Sequence, residues 1–311
     1  MRISGRTLAA GLATVVTAGL TAGLAGSPTA VAEGAEPPDT AARSWQRAGE
    51  WATGEVGQEI TSIALDPEND LVVAMDSRRV RTYDRVGEQL STFTTRFRPG
   101  NLDVASDGDI HVLPAYEARG TTQTVRVLGP KGRTKRLYGR DQVAKLGGFE
   151  IDEGVRRLII SDLVWCKVVT YDVASGRQLG AWGKDGTEGS TDPNALDFPN
   201  DLALMPDNQL VLANSSALRV FQRGGRYVRT IGQGRFNISV ERVAYGGGRV
   251  FGLESRRSEV EVFAVDGTHQ RTLRTGIRRT VDVAATPNGN VVYVAGRLES
   301  GEPGIVRWVR R

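Results

Sequence analysis

The chain has 311 residues, 40% of them hydrophobic, with 40 Lys and Arg against 36 Asp and Glu and a formal charge of +4. So small an excess, spread along the chain, excludes a dedicated nucleic-acid binder, which concentrates basic residues on one face. Cys166 is the single cysteine, so no intrachain disulfide forms, and stability must come from a core that a chain of this length can bury.

In chain order, Arg2 and Arg6 precede an uncharged run from Thr7 to Ala32 that ends in the small-x-small sequence Ala30-Val31-Ala32. Residues 1–32 therefore read as a signal peptide, with Glu33 as the first mature residue of a secreted protein that keeps no stable membrane insertion. No cysteine follows the run to carry a lipid, and the two arginines are not adjacent, so no twin-arginine signal is present. Residues 33–43 hold two prolines and no apolar periodicity and read as a flexible leader.

From Ile60 onward one pattern is written six times. A short apolar strand begins at Ile63, Leu102, Phe149, Leu202, Val243 and Val281, about 40–50 residues apart, the span of four short strands. Tight polar turns follow, such as Asp66-Pro-Glu-Asn-Asp70 and Thr286-Pro-Asn-Gly-Asn290, built from residues that accept positive φ. A second strand is apolar on both faces, as in Leu71–Ala74 and Leu210–Ala213, which suits strands covered on both sides. A third alternates and ends in Tyr83, Leu128, Tyr171, Phe221, Phe263 or Trp308, and a more polar fourth leads out.

The sixth unit stops after its third strand, at Arg311, while Arg47-Ala-Gly-Glu-Trp51 ahead of the first unit resembles the fourth strand around Trp182. The pattern predicts an all-β, six-bladed β-propeller of four-stranded blades over 44–311, its last blade closed by an N-terminal strand. Such a closed ring reads as a monomer.

Phe198-Pro-Asn-Asp-Leu202 through Ala213-Asn214, continuing to Leu218–Phe221 and Val228–Gly232, resembles an NHL repeat, as does Ser161-Asp162 with Lys167–Asp172. The likeness spans about Trp45 to Arg311 and implies a propeller of the secreted bacterial type. It specifies architecture and leaves activity open.

First strands line the axis of a propeller, so their residues converge on one mouth. The candidates for ligand binding there are Asn101, Asp103, Glu150, Asn200, Asp201, Arg242 and Asp282. The middle residue of the first strand is Ala in three units and Asp103, Glu150 or Asp282 in the others; such carboxylates either cap backbone and pair with Arg242 or Arg279, or hold a hard cation such as calcium. The first reading is a binding module that uses its rim for a protein or glycan partner, because loops on a rigid scaffold carry recognition. The longest are 115–121, 138–147, 184–197 and 296–304. The alternative is a cation-dependent hydrolase or lyase, implied by resemblance to gluconolactonase and strictosidine-synthase-like propellers, with Asn101, Asn200 and Asp201 as ligands. In that alternative the first blade carries Thr61-Ser62 where the family's Glu-Gly-Pro is expected. His111 and His269 are too few for a zinc lyase, and no nucleophile elbow is present. Cys166 reads as a small buried apolar residue, and Asp66, Glu68 and Asp70 as an ordinary turn.

Overall fold

The computed structural model describes residues 44–115, 124–129, 131–138, 145–186 and 192–311. The expected signal peptide and leader, and residues 116–121, 139–144 and 187–191 of the long loops, lie outside the described residues. The strands form six four-stranded antiparallel sheets, the blades of a propeller. Blade 1 holds β2(Ile60–Leu65), β3(Leu71–Met75), β4(Arg79–Tyr83) and β5(Gln89–Thr94). Blade 2 holds β6(Pro99–Val104), β7(Ile110–Pro114), β8(Val125–Leu128) and β9(Thr134–Tyr138); blade 3 holds β10(Leu146–Asp152), β11(Arg157–Asp162), β12(Lys167–Asp172) and β13(Gln178–Trp182). After a short parallel pair, β14(Lys184–Asp185) with β15(Ala195–Leu196), blade 4 holds β16(Pro199–Met205), β17(Gln209–Asn214), β18(Ala217–Gln222) and β19(Tyr227–Ile231). Blade 5 holds β20(Arg242–Gly246), β21(Arg249–Glu254), β22(Glu259–Ala264) and β23(His269–Arg274), which opens on His269.

Blade 6 is built from both ends of the chain: β24(Arg279–Ala285), β25(Val291–Arg297), β26(Pro303–Arg310) and, as its outer strand, β1(Trp45–Ala52). β1 runs antiparallel to β26 with Trp45 opposite Arg310 and Ala52 opposite Gly304. The equivalence of Trp51 and Trp182 is physical as well as positional. Each ring lies over the glycine of the next blade's outer turn, Gly87 or Gly225, where an added Cβ would come within 2.5 Å or 2.6 Å of the indole. Both glycines have positive φ, so neither the turn nor the seat tolerates a side chain.

The core lies between blades. Buried apolar residues fall into six clusters, one at each seam, such as Phe251, Val260, Val283 and Val294 between blades 5 and 6. Each fully buried side chain of this kind contributes about 1.5–3 kcal/mol. The apolar second strands are β3, β7, β11, β17, β21 and β25, covered on both faces as their composition requires.

Arginines stitch the outer seams. Arg136 donates to the carbonyl of Val173, Arg229 to that of Val265 and Arg307 to that of Arg85; Trp182 Nε1 donates to Arg223 O at 3.1 Å in the same place between blades 3 and 4. Three of the scattered arginines therefore serve as donors across seams.

Truncating Trp51 to alanine should lower the unfolding free energy by about 3 kcal/mol, measured in urea, whereas Gln46→Ala on the exposed side of the same strand should change it by less than about 0.5 kcal/mol. Equal effects would show that β1 is not the clasp.

Candidate functional site

The inner strand of each blade has one edge paired with its second strand and one edge facing the axis. Alternate N–H groups on that edge have no strand partner and need another acceptor. Side chains from the preceding blade supply it. Asp282 Oδ2 accepts the N–H of Ile63 at 2.9 Å, Ser62 Oγ that of Leu102 at 3.2 Å and Asp201 Oδ2 that of Val243 at 3.0 Å. Two residues further along the strand, Asp103 Oδ2 accepts from Ile151 at 3.1 Å. In every case a residue of one blade binds the amide of the next position in the following blade.

Strand register fixes which residues are equivalent, and it corrects the repeat count for blade 6. Thr280 pairs with Gly296 and Asp282 with Ala295, so Val281 is an unpaired bulge residue. The first residue of the apolar collar is therefore Val283, and Asp282 occupies the level of Ser62, Asn101, Asp201 and Arg242. Asp103 and Glu150 sit two residues further along, level with Ala64, Ala203, Ala244 and Ala284. The three carboxylates thus lie on two levels.

Together these levels enclose an axial cavity of about 270 Å³. Asn101, Asp201 and Asp282 line its deep end, and the apolar ring of Ile63, Leu102, Phe149, Leu202, Val243 and Val283 forms a collar. Asp103 and Glu150 stand on one side above it, facing Ala64, Ala244 and Ala284; Asp66, Pro67 and Pro287 of the first hairpins form the rim. The cavity opens on the hairpin face, opposite the crossover face where the inner strands begin.

Arg242 and Asn200 do not line the cavity. Arg242 lies 3.6 Å from Asp282 Oδ1 through Nε and donates to Glu241 O at 3.2 Å, and Asn200 donates to Val240 O at 3.1 Å. Arg279 pairs with Glu59 away from the axis. The Ser62 hydroxyl lies 2.7 Å from Asp282 Oδ2 and 2.8 Å from Asn101 Oδ1. The single hydroxyl proton serves one of these contacts at a time.

Burial raises every axial carboxyl. Asp201 is pushed up to about 7, with the Arg242 charge opposing, and Asp103 to about 6, with the amides of Val104 and Ile151 opposing. Asp282 is raised by burial against the pull of Arg242. Glu150 is held well above the usual range by burial, then by the charges of Asp103 and Asp201. Three of the four acids are tied to backbone, which is the capping role the sequence allowed. Glu150 makes no hydrogen bond among the described residues and lines the cavity.

The other chemistry-bearing residues are elsewhere. His111 is buried opposite Asp103 in register, and burial pushes it down to about 4, so it is neutral; His269 Nε2 lies 2.6 Å from Glu261. Cys166 is buried with its Sγ 3.5 Å from Asp185, and burial raises the thiol. Among the described residues, the one group of three His, Cys, Asp or Glu side chains with ligand atoms within 4.8 Å of one another is Asp66, Glu68 and Asp70. There Asp66 Oδ1 accepts the amides of Glu68 and Asp70 at 3.0 and 2.8 Å, as in an ordinary Asx turn. The axial carboxylates do not converge to that extent. The sequence missed the alanine wall and the role of Ser62; the register, once Val281 is recognised as a bulge, reveals both.

The chain matches no protein-family model and no curated protein. The fold places it among six-bladed β-propellers.

Raised carboxyl pKa values fix the sign of the pH dependence. Between about 4 and 7 the folded chain holds a proton on Asp201 that the unfolded chain has lost. The contribution of Asp201 should be full below about 4, fall as pH rises through 7 and level off above it, while buried neutral His111 contributes in the opposite sense between about 4 and 6.5. Urea midpoints at pH 5 and 8 measure this, and Asp201→Asn should flatten the difference. Asp282→Ala, which leaves the Ile63 amide and Arg242 without their partner, should cost about 1–3 kcal/mol at neutral pH; Glu150→Gln, replacing an acid whose charge burial opposes and whose carboxyl makes no hydrogen bond among the described residues, should not destabilise.

Proposed function

We propose that this chain is an exported NHL-type propeller that works as a binding module, and that its ligand enters the axial cavity from the hairpin face. The observation that carries the reading is the division of labour among the axial acids: Asp103, Asp201 and Asp282 seal inter-blade amides, while Glu150 is held in the same cavity without a partner among the described residues. A polar group kept in a costly environment with no structural bond is a mark of a recognition site. Export rests on the signal-peptide pattern of residues 1–32.

Two measurements test this. N-terminal sequencing of protein recovered from culture medium should begin at Glu33; retention of the intact leader in the cell contradicts export. A thermal-shift screen of small polar molecules should yield compounds that stabilise the native protein and not folded Ala284→Leu, which adds bulk to the cavity wall at the edge of the seam between blades 6 and 1. Hits unaffected by the filling, or none at all, contradict an axial site.

A further inference from the structure

The walls of the cavity differ in kind, and the difference follows the order of the blades. Blades 5, 6 and 1 contribute Ala244, Ala284 and Ala64, three consecutive small apolar side chains that leave the cavity its width. Adjacent blades 2 and 3 contribute Asp103 and Glu150 at the same level, with the collar of Ile63, Leu102, Phe149, Leu202, Val243 and Val283 beneath. The volume equals that of roughly nine liquid water molecules. It suits a compact ligand with one charged end.

Several ligand classes fail to match. An anion would meet five acids, and Arg242, paired with Asp282, lies outside the lining. A bare divalent cation needs several oxygens converging at 2.3–2.6 Å around one point, and the axial carboxylates are on two levels and do not gather three ligand atoms within 4.8 Å. A strongly polar ligand such as a sugar would leave the alanine wall and the apolar collar without complement.

We propose that the axial cavity binds a primary alkylammonium group, with the ammonium on Glu150 and Asp103 and the alkyl chain along Ala64, Ala244 and Ala284. An ammonium has three donors and a compact charge. Glu150 offers two free oxygens, and Asp103 has acceptor capacity beyond its two backbone bonds. Four to six methylenes fit against the collar and alanines, each contributing by its burial. The proposal rests on the axial binding-module reading and names the chemistry that module recognises: a free aliphatic amine, whether of a small molecule or of a lysine side chain.

Calorimetric titration with hexylamine, hexan-1-ol and hexanoate at pH 7.5 separates charge from chain. Hexylamine should bind at least about tenfold more tightly than the alcohol, the margin expected of hydrogen bonds to charged groups, and hexanoate should not bind. Affinity for hexylamine should rise from pH 5 to 8 as Asp103 gives up its proton while the amine stays cationic. Glu150→Gln should lose about tenfold or more for hexylamine and little for hexanol; Ala284→Leu should weaken hexylamine and spare methylammonium. Circular dichroism and urea unfolding of both variants verify that each is folded. Equal binding of all three compounds, unaltered amine binding in folded Glu150→Gln, or calcium competing for the site overturns the inference. Should hexylamine fail while other compounds lose their thermal shift in Ala284→Leu, the amine inference falls and the binding module stands; should nothing bind, both fall.

Discussion

Every blade ends at the axis in a strand with an unpaired edge. No seventh strand pairs there, so alternate amides of that edge need another acceptor. The backbone N–H groups of Ile63, Leu102, Val243 and Ile151 therefore take side-chain oxygens from the neighbouring blade. Because each bond joins one blade to the next, a local requirement of the strand edge also holds the ring together. The apolar clusters at the six seams supply most of the burial energy, and the axial bonds cross four of those seams.

That requirement also accounts for the acids. A short carboxylate reaches the next blade's amide; Asp201, Asp282 and Asp103 do so, as does Ser62 with its hydroxyl. Their burial is unfavourable for charge, and the three acids hold protons above the usual range as a result. Glu150 occupies the level of Asp103 but makes no such bond among the described residues, and the neighbouring charges raise it further. The same cavity thus contains acids with structural work and one without it. At the outer seams the same economy is reached with opposite chemistry, where Arg136, Arg229 and Arg307 donate to carbonyls.

Much of the ring was legible in the sequence. Six repetitions of an apolar strand, turn and second strand gave the blade count, and the truncated sixth unit together with Trp51 gave the closure by β1. The third-strand endings from Tyr83 to Trp308 occupy one register position in all six sheets. The level of Asp282 was misread because apolar spacing cannot distinguish a bulge residue from a paired one: Val281 looks like the start of a strand, and only the pairing of Thr280 and Asp282 with Gly296 and Ala295 shows the extra residue. Of the site candidates, Asn101, Asp103, Glu150, Asp201 and Asp282 meet in the cavity, whereas Asn200 and Arg242 bond to carbonyls outside it. The seam donors were illegible for another reason. An arginine alternating with apolar residues has the same pattern whether it faces solvent or reaches a carbonyl on the next blade.

The most direct test of the axial seal is native-state hydrogen exchange of the amides of Ile63, Leu102, Ile151 and Val243, read residue by residue by NMR. If the side chains of the preceding blades seal these groups, they exchange only through global unfolding, with the same free energy as the second-strand ladders. Exchange through local opening, at free energies near those of the hairpin turns, would contradict the seal and the division of the axial acids that depends on it.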